Sequence, residues 1–308
     1  MEFRQGSGCR NTHRKRPRRG LRYIGRYNNS GSCREHDRIA LTNHSSGFTE
    51  PIYGKQLEEF FIRQFRHACL PSHDFEHHQR VWHNAKSIAG ELTKTGYSFT
   101  AEFMLQLHVA CMTHDIGMSV NIGENHGRES SKLCKQFMTL AEVPLHLQED
   151  ILFAVENHDR KEYSQEYPVN SLFTILSVAD DTDAFGYTGL YRYIEIYSAR
   201  GVPFPEMGRA IISNAKGRYS HMVKMFGFLH GFITLTSERF SILTEALQPG
   251  GVCHGNSLEE ISLIIRKNTC KPGTTIAGIA GSGIRDGKTA TTPFFHALLN
   301  ELSHRNMF

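Results

Sequence analysis

The chain has 308 residues, 39% of them hydrophobic, and a formal net charge of +4, which suits one large domain or two small ones. No apolar run approaches the ~18 to 20 residues that span a bilayer, and no apolar segment follows the basic N-terminus as in a secretory signal. The seven cysteines are odd in number and form no C-x-x-C pair, which excludes a zinc ribbon and suits the reduced thiols of a cytoplasmic protein.

Residues 1–50 come first and stand apart in charge. Residues 1–40 hold eleven Lys/Arg against three Asp/Glu, while the other 268 residues hold 24 against 28. The basic character therefore belongs to a tail and not to the folded body. With few apolar residues and no period, the tail is expected to be disordered. Any contact with nucleic acid is expected there alone.

A body over 51–248 follows, read as a succession of helices. Tyr53–Cys69 carries Leu57, Phe60, Phe61 and Phe65 at helical spacing. Leu70, Pro71 and Ser72 break it, and Ser72 or Asp74 can cap a helix running to Lys94. Thr100–Asp115 is apolar almost all round, which predicts a central helix. Helices are predicted over 127–140, 144–157, 170–183, 187–198, 206–226 and 229–247. Strand-like alternation is scarce, so the fold class is all-α.

Residues 249–308 change character and read as a C-terminal appendage. A short helix is predicted over 258–266 and another over 293–303, with a flexible Gly-rich loop between them. Within that loop, G-S-G-I-R-D-G-K-T (281–289) resembles a phosphate loop in composition. The P-loop spacing fails, because the fifth residue before Gly287 is Ser282 and no strand precedes it.

The chemistry concentrates at A-C-M-T-H-D-I-G (110–117), where His114 and Asp115 end an apolar run. Upstream, His77 and His78 lie four residues before Val81 and Trp82, so either can point inward. Downstream, Ile151, Val155 and His158 continue one stripe, and Leu172, Leu176 and Asp180 another, with Asp183 three residues on. Polar groups on such stripes enter a core where an uncompensated carboxylate is expensive. A divalent cation is the simplest compensation. Imidazole with carboxylate and no thiolate suits Mn, Co, Ni, Mg, Zn or Fe.

The same residues resemble the HD-domain metal-dependent phosphohydrolases. H-D-F-E-H-H-Q-R-V (73–81) is similar to the family's H-D-x-x-H-x-x-R-V and selects His77 over His78. A-C-M-T-H-D-I-G is similar to its central motif. A-D-D-T-D-A-F-G (179–186), followed by Gly189 and Arg192, is similar to its A-D-x-L-D-A-x-G…R and selects Asp180. N-A-K-G-R-Y (214–219) also resembles one bacterial branch. The resemblance spans about 55–247 and implies a helical bundle around a metal held by His77, His114, Asp115 and Asp180. It implies catalytic roles for Asp115, His126, His158 and Asp183, and phosphate contacts at Arg128, Lys161 and Arg192. His126 and His158 can ligate a second metal or meet phosphate directly. The implied reaction is hydrolysis of a phosphate ester or anhydride of a small molecule, most plausibly a nucleotide, by metal-activated water. Two alternatives stay open. Six ligands from His77, His114, Asp115, His126, His158 and Asp180 would also suit a di-iron oxygenase of the same fold, and a non-catalytic metal or nucleotide sensor would need no turnover. No membrane partner is expected, and an oligomer is compatible with the sequence.

Overall fold

The computed structural model describes residues 52–123, 125–160, 167–271, 274–286 and 289–305. The basic tail and Lys161 lie outside these described residues. Among them there are twelve α-helices and no strand. No helix is long and apolar enough to cross a membrane.

Helix α1 covers Gly54–Phe65, and a 3-10 turn at Pro71–His73 leads into α2, Phe75–Lys94. Of the two candidate caps, Asp74 takes the role, accepting from the His77 backbone N–H at 3.0 Å. Val81, Ala85, Ile88 and Leu92 of α2 are fully buried at helical spacing. Helix α3, Ala101–Thr113, is capped by Thr100 and buried all round from Gln106 onward. This is the central helix that the unbroken apolar run predicted.

Helices α4 (His126–Leu140), α5 (Leu145–Asn157) and α6 (Leu172–Asp183) complete the first half. α2 lies against α3 and α6, α3 against α5, and α4 against α5. Asn84 on α2 donates to the Ala179 carbonyl on α6 at 3.0 Å, fixing that pair. Helix α7 (Gly186–Ala199) turns back over this group, followed by α8 (Phe204–Phe226) and α9 (His230–Ala246).

The last residues depart from expectation twice. They form α10 (Asn256–Thr269), α11 (Ile276–Asp286) and α12 (Thr292–Arg305). First, they are no appendage: α10 and α12 pack on α7, and Ile261, Ile265, Phe294 and Leu298 join the same hydrophobic core as α2 and α3. The α12 residue Glu301 accepts from the Tyr187 N–H at 2.6 Å, at the N-terminus of α7. Second, the segment read as a flexible Gly-rich loop is helical through Asp286. Glycine is required there by contact and not by flexibility, since a Cβ on Gly283 would lie 2.3 Å from the Phe295 ring of α12. Glycine lowers intrinsic helix propensity, and here tertiary packing overrides it.

Candidate metal centre

Five elements bring imidazoles and carboxylates to one point. His77 comes from the first turn of α2, and His114 and Asp115 from the end of α3. His126 opens α4, His158 follows α5, and Asp180 sits in the last turn of α6. All six are buried. The apolar stripes explain the convergence, because each polar residue continues the inward face of its helix by one turn.

Each imidazole is held by its Nδ1. His77 Nδ1 meets Asp183 at 2.9 Å, His114 the Cys111 carbonyl at 2.8 Å, His126 the Gly123 carbonyl at 2.8 Å and His158 the Val155 carbonyl at 2.7 Å. A carbonyl or an ionised carboxylate only accepts, so Nδ1 carries the hydrogen in all four. Four Nε2 lone pairs are thereby aimed at one region, the arrangement that orients metal-bound histidines.

The donors fall into two groups that share Asp115. In the first, His77 Nε2 and His114 Nε2 stand 3.2 Å apart, and Asp115 Oδ2 lies 3.4 and 3.3 Å from them. Asp180 Oδ1 closes this group at 3.7 and 3.8 Å from the same two nitrogens. In the second, Asp115 Oδ1 lies 3.2 Å from His126 Nε2 and 3.0 Å from His158 Nε2. The donor atoms in each group lie within 4.8 Å of one another. Two neutral imidazoles cannot hydrogen-bond through facing lone pairs at 3.2 Å, and positive charge beside them, such as the Arg192 Nη2 that lies 3.1 Å from His77 Nε2 or a bound cation, relieves the contact. The donor set therefore fits a divalent metal.

The electrostatics agree. Burial opposes charge on His114, but Asp115 and Asp180 outweigh it and push the imidazole up to about 10. His126 is raised to about 9 against its burial, by Asp115 and then Asp159. Burial would also raise Asp115, yet His114, His126 and His158 hold its carboxyl well below the usual range.

Asp183 was expected among the catalytic groups, and the structure corrects this. It is fully buried behind His77, where it takes hydrogen bonds from Arg80 Nε at 3.0 Å and from His77. It holds the His77 ring through Nδ1 and does not line the cavity. His78 turns the other way, onto Phe61 and the Cys111 carbonyl. Arg128, expected at the phosphate, is exposed on α4 and does not line the cavity. Its helix face points to solvent, a direction the local motif did not reveal. Gly117 explains the last letter of the central motif: a Cβ there would lie 2.3 Å from the His126 carbonyl oxygen, so glycine lets α4 close onto the turn.

A cavity of about 620 Å³ opens above the donors. Asp115, His126, His158 and Asp180 line one side of it. Arg192, Tyr193, Arg200, Asn214 and Arg218 line it too. Arg192 reaches deepest, with Nη2 3.2 Å from Asp180 Oδ1 and 3.1 Å from His77 Nε2. Arg218 pairs closely with Asp181, lies 3.6 Å from Asp180, and donates through Nε to Asn214 at 2.8 Å. The Tyr193 hydroxyl donates to the same Asn214 oxygen at 2.8 Å.

Residues 74–184 match the family model described as the HD domain. Over these residues the chain is similar to the HD domain. No curated protein and no solved structure matches the chain. HD domains are in general phosphohydrolase domains that use metal ions, and the buried His/Asp groups suit that chemistry. The match ends before α7, so Arg192, Asn214 and Arg218 lie outside it. Sequence reasoning assigned no role to Asn214, Arg218 or Asp159. The first two stand four apart on α8, within N-A-K-G-R-Y, and their shared helix face was the available signal.

Proposed function

We propose that the protein is a metal-dependent phosphohydrolase acting on a phosphate ester or anhydride of a small molecule, with a nucleotide as the favoured substrate. The observation that carries this reading is the sharing of Asp115. Its two carboxylate oxygens face two separate sets of Nε2 atoms in a cavity that Arg192 and Arg218 also line.

His77, His114, Asp115 and Asp180 would hold one divalent ion, and Asp115, His126 and His158 a second. When bound, such ions lower the pKa of water and polarise a phosphoryl oxygen. The protein's own groups do the rest. Asp115 fixes the two donor sets relative to each other. Asp183 and the backbone carbonyls hold the imidazoles in the tautomer that presents Nε2. Arg192 and Arg218 face the place where a phosphate enters and offset the charge that builds on its oxygens. The nucleotide preference rests on the resemblance of the motifs, supported by the tyrosine and asparagine on the cavity wall.

The test is a screen of nucleotides and simple phosphate esters with Mn, Co, Ni and Mg. Turnover that depends on added metal and disappears in Asp115→Ala is expected. Metal binding without turnover of any phosphate compound would overturn the reading. The six-donor count with a shared carboxylate also suits a di-iron oxygenase, and two irons per chain with O₂ uptake would favour that alternative.

A further inference from the structure

The cavity extends past the metal groups along one helix. Arg192, Tyr193, Ile196, Tyr197 and Arg200 all line it, at the spacing of a single face of α7 and the residue that ends it. Arg192 marks the metal end, since its Nη2 lies 3.2 Å from Asp180 Oδ1. From the rise of a helix, Ile196 and Tyr197 stand roughly 6 and 7.5 Å further along the axis, and Arg200 roughly 12 Å.

The middle of this stripe is apolar. Ile196 belongs with Leu70 and Met118 to a small hydrophobic cluster separate from the main core, and Ile122 and Tyr197 pack against it. Met118, Ile196 and Tyr197 of this cluster line the cavity. Met118 lies in the 3-10 turn Ile116–Ser119, which directly follows the His114–Asp115 pair. Arg200 Nε donates to the Ile122 carbonyl at 2.9 Å and ties the segment after that turn to the end of α7. A compact polar alcohol on the phosphate would leave these three side chains against water, whereas an apolar ring gains by covering them. The apolar stretch is about one helical turn long and gives way to the exposed Arg200. That suits a flat ring with polar edges and not an acyl chain.

An oriented donor stands close by. The Tyr193 ring lies 5.7 Å from the Tyr197 ring. Its hydroxyl and Arg218 Nε both donate to Asn214 Oδ1, each at 2.8 Å. A guanidinium only donates, so this atom is the amide oxygen and the other end is the NH2. Asn214 lines the cavity, and its NH2 has no partner among the described residues. It is free to donate to a ring nitrogen or carbonyl of a bound molecule.

We infer that the substrate carries a nucleobase whose face lies on Met118, Ile196 and Tyr197 and whose edge accepts from the Asn214 amide, with the phosphate at Arg192 across a sugar-sized spacer. Tyr197 is thus a specificity residue. A cavity of about 620 Å³ takes a molecule of that size. This deepens the function proposed above and rests on it for the phosphate; the base subsite needs no turnover.

Two measurements separate the subsite from the reaction. The first compares nucleoside monophosphates with ribose 5-phosphate, which keeps the phosphate and sugar and lacks the base. With Mn present, wild type should favour the best nucleotide in kcat/KM. Tyr197→Ala should lower that preference about tenfold, the scale of one lost base–aromatic stack. Tyr197→Phe, which keeps the ring, should restore it. General damage to the fold would lower both rates and leave their ratio where it was. No preference in wild type, or a ratio unmoved by Tyr197→Ala, would overturn the subsite. The second is saturation-transfer NMR on the full chain without metal, with adenosine, guanosine, cytidine and uridine as probes. The base protons of at least one nucleoside should take up saturation in wild type and lose it in Tyr197→Ala. No transfer to any of the four, or equal transfer in the variant, would overturn the subsite. If phosphates are hydrolysed without regard to the base, the proposed function stands and the subsite falls. If nucleosides bind through Tyr197 and no phosphate compound is hydrolysed, the subsite stands and the proposed function falls.

Discussion

Residues 74–184 supply every donor of the two candidate metal groups, whereas α7 and α8 supply Arg192 and Arg218, which reach them. The two walls are held differently. On the first, each imidazole is tied through Nδ1 to a neighbouring carbonyl or to Asp183, so its direction follows from local backbone. On the second, Arg192 and Arg218 are long side chains held by carboxylates, by Asn214 and by His73. The difference teaches where chemistry and selection reside. The region that matches the HD domain presents the donors proposed to hold ions. The helices after it present the arginines proposed to meet the substrate.

The comparison is broken most directly on the first wall. Asp115→Ala and His77→Ala should each reduce turnover to background and lower metal occupancy, measured by elemental analysis of the reconstituted protein. His78→Ala should do neither to the same degree, since that ring packs on Phe61. Equal damage at His78 would mean that the donor assignment is wrong.

On the second wall the next effect is on stability. Arg218→Ala removes a half-buried guanidinium from the buried Asp181 and Asp180, and should cost about 1–3 kcal/mol in chemical denaturation. Asp183→Asn sharpens the first wall instead. It keeps the shape but weakens the orientation of His77, and metal affinity should fall by roughly 10- to 100-fold with the fold intact. Competitive chelation measures this. Arg128→Ala should change stability by no more than about 0.5 kcal/mol and leave KM unaltered, because the residue faces solvent away from the cavity.

The two walls also differed in how far the sequence disclosed them. His77, His114, Asp115 and Asp180 were legible because each extends an apolar helical stripe and sits in a distinctive local context. The helices were legible for the same reason, and Asp74 and Thr100 cap where short polar residues precede apolar runs. Asn214 and Arg218 extend no apolar stripe, and their signal was the motif N-A-K-G-R-Y and a shared helix face. They lie on a long amphipathic helix where a solvated charge and a cavity-facing charge look alike until the partner helix is placed. Asp183 read as catalytic because its position next to Asp180 is one helical turn away, and only packing shows that it faces α2. The Gly-rich stretch read as a loop because propensity acts locally, while the reason for Gly283 is Phe295, twelve residues on.

The central claim is that Asp115 is shared by two ion sites. Metal stoichiometry after reconstitution with Mn and removal of free ion tests it most directly, with wild type, His158→Ala and Asp115→Ala measured side by side. Two equivalents in wild type, one in His158→Ala and a loss from both sites in Asp115→Ala is the predicted result. Asp115→Ala that retains two equivalents, or a wild type whose ion content is unaffected by either substitution, would contradict it.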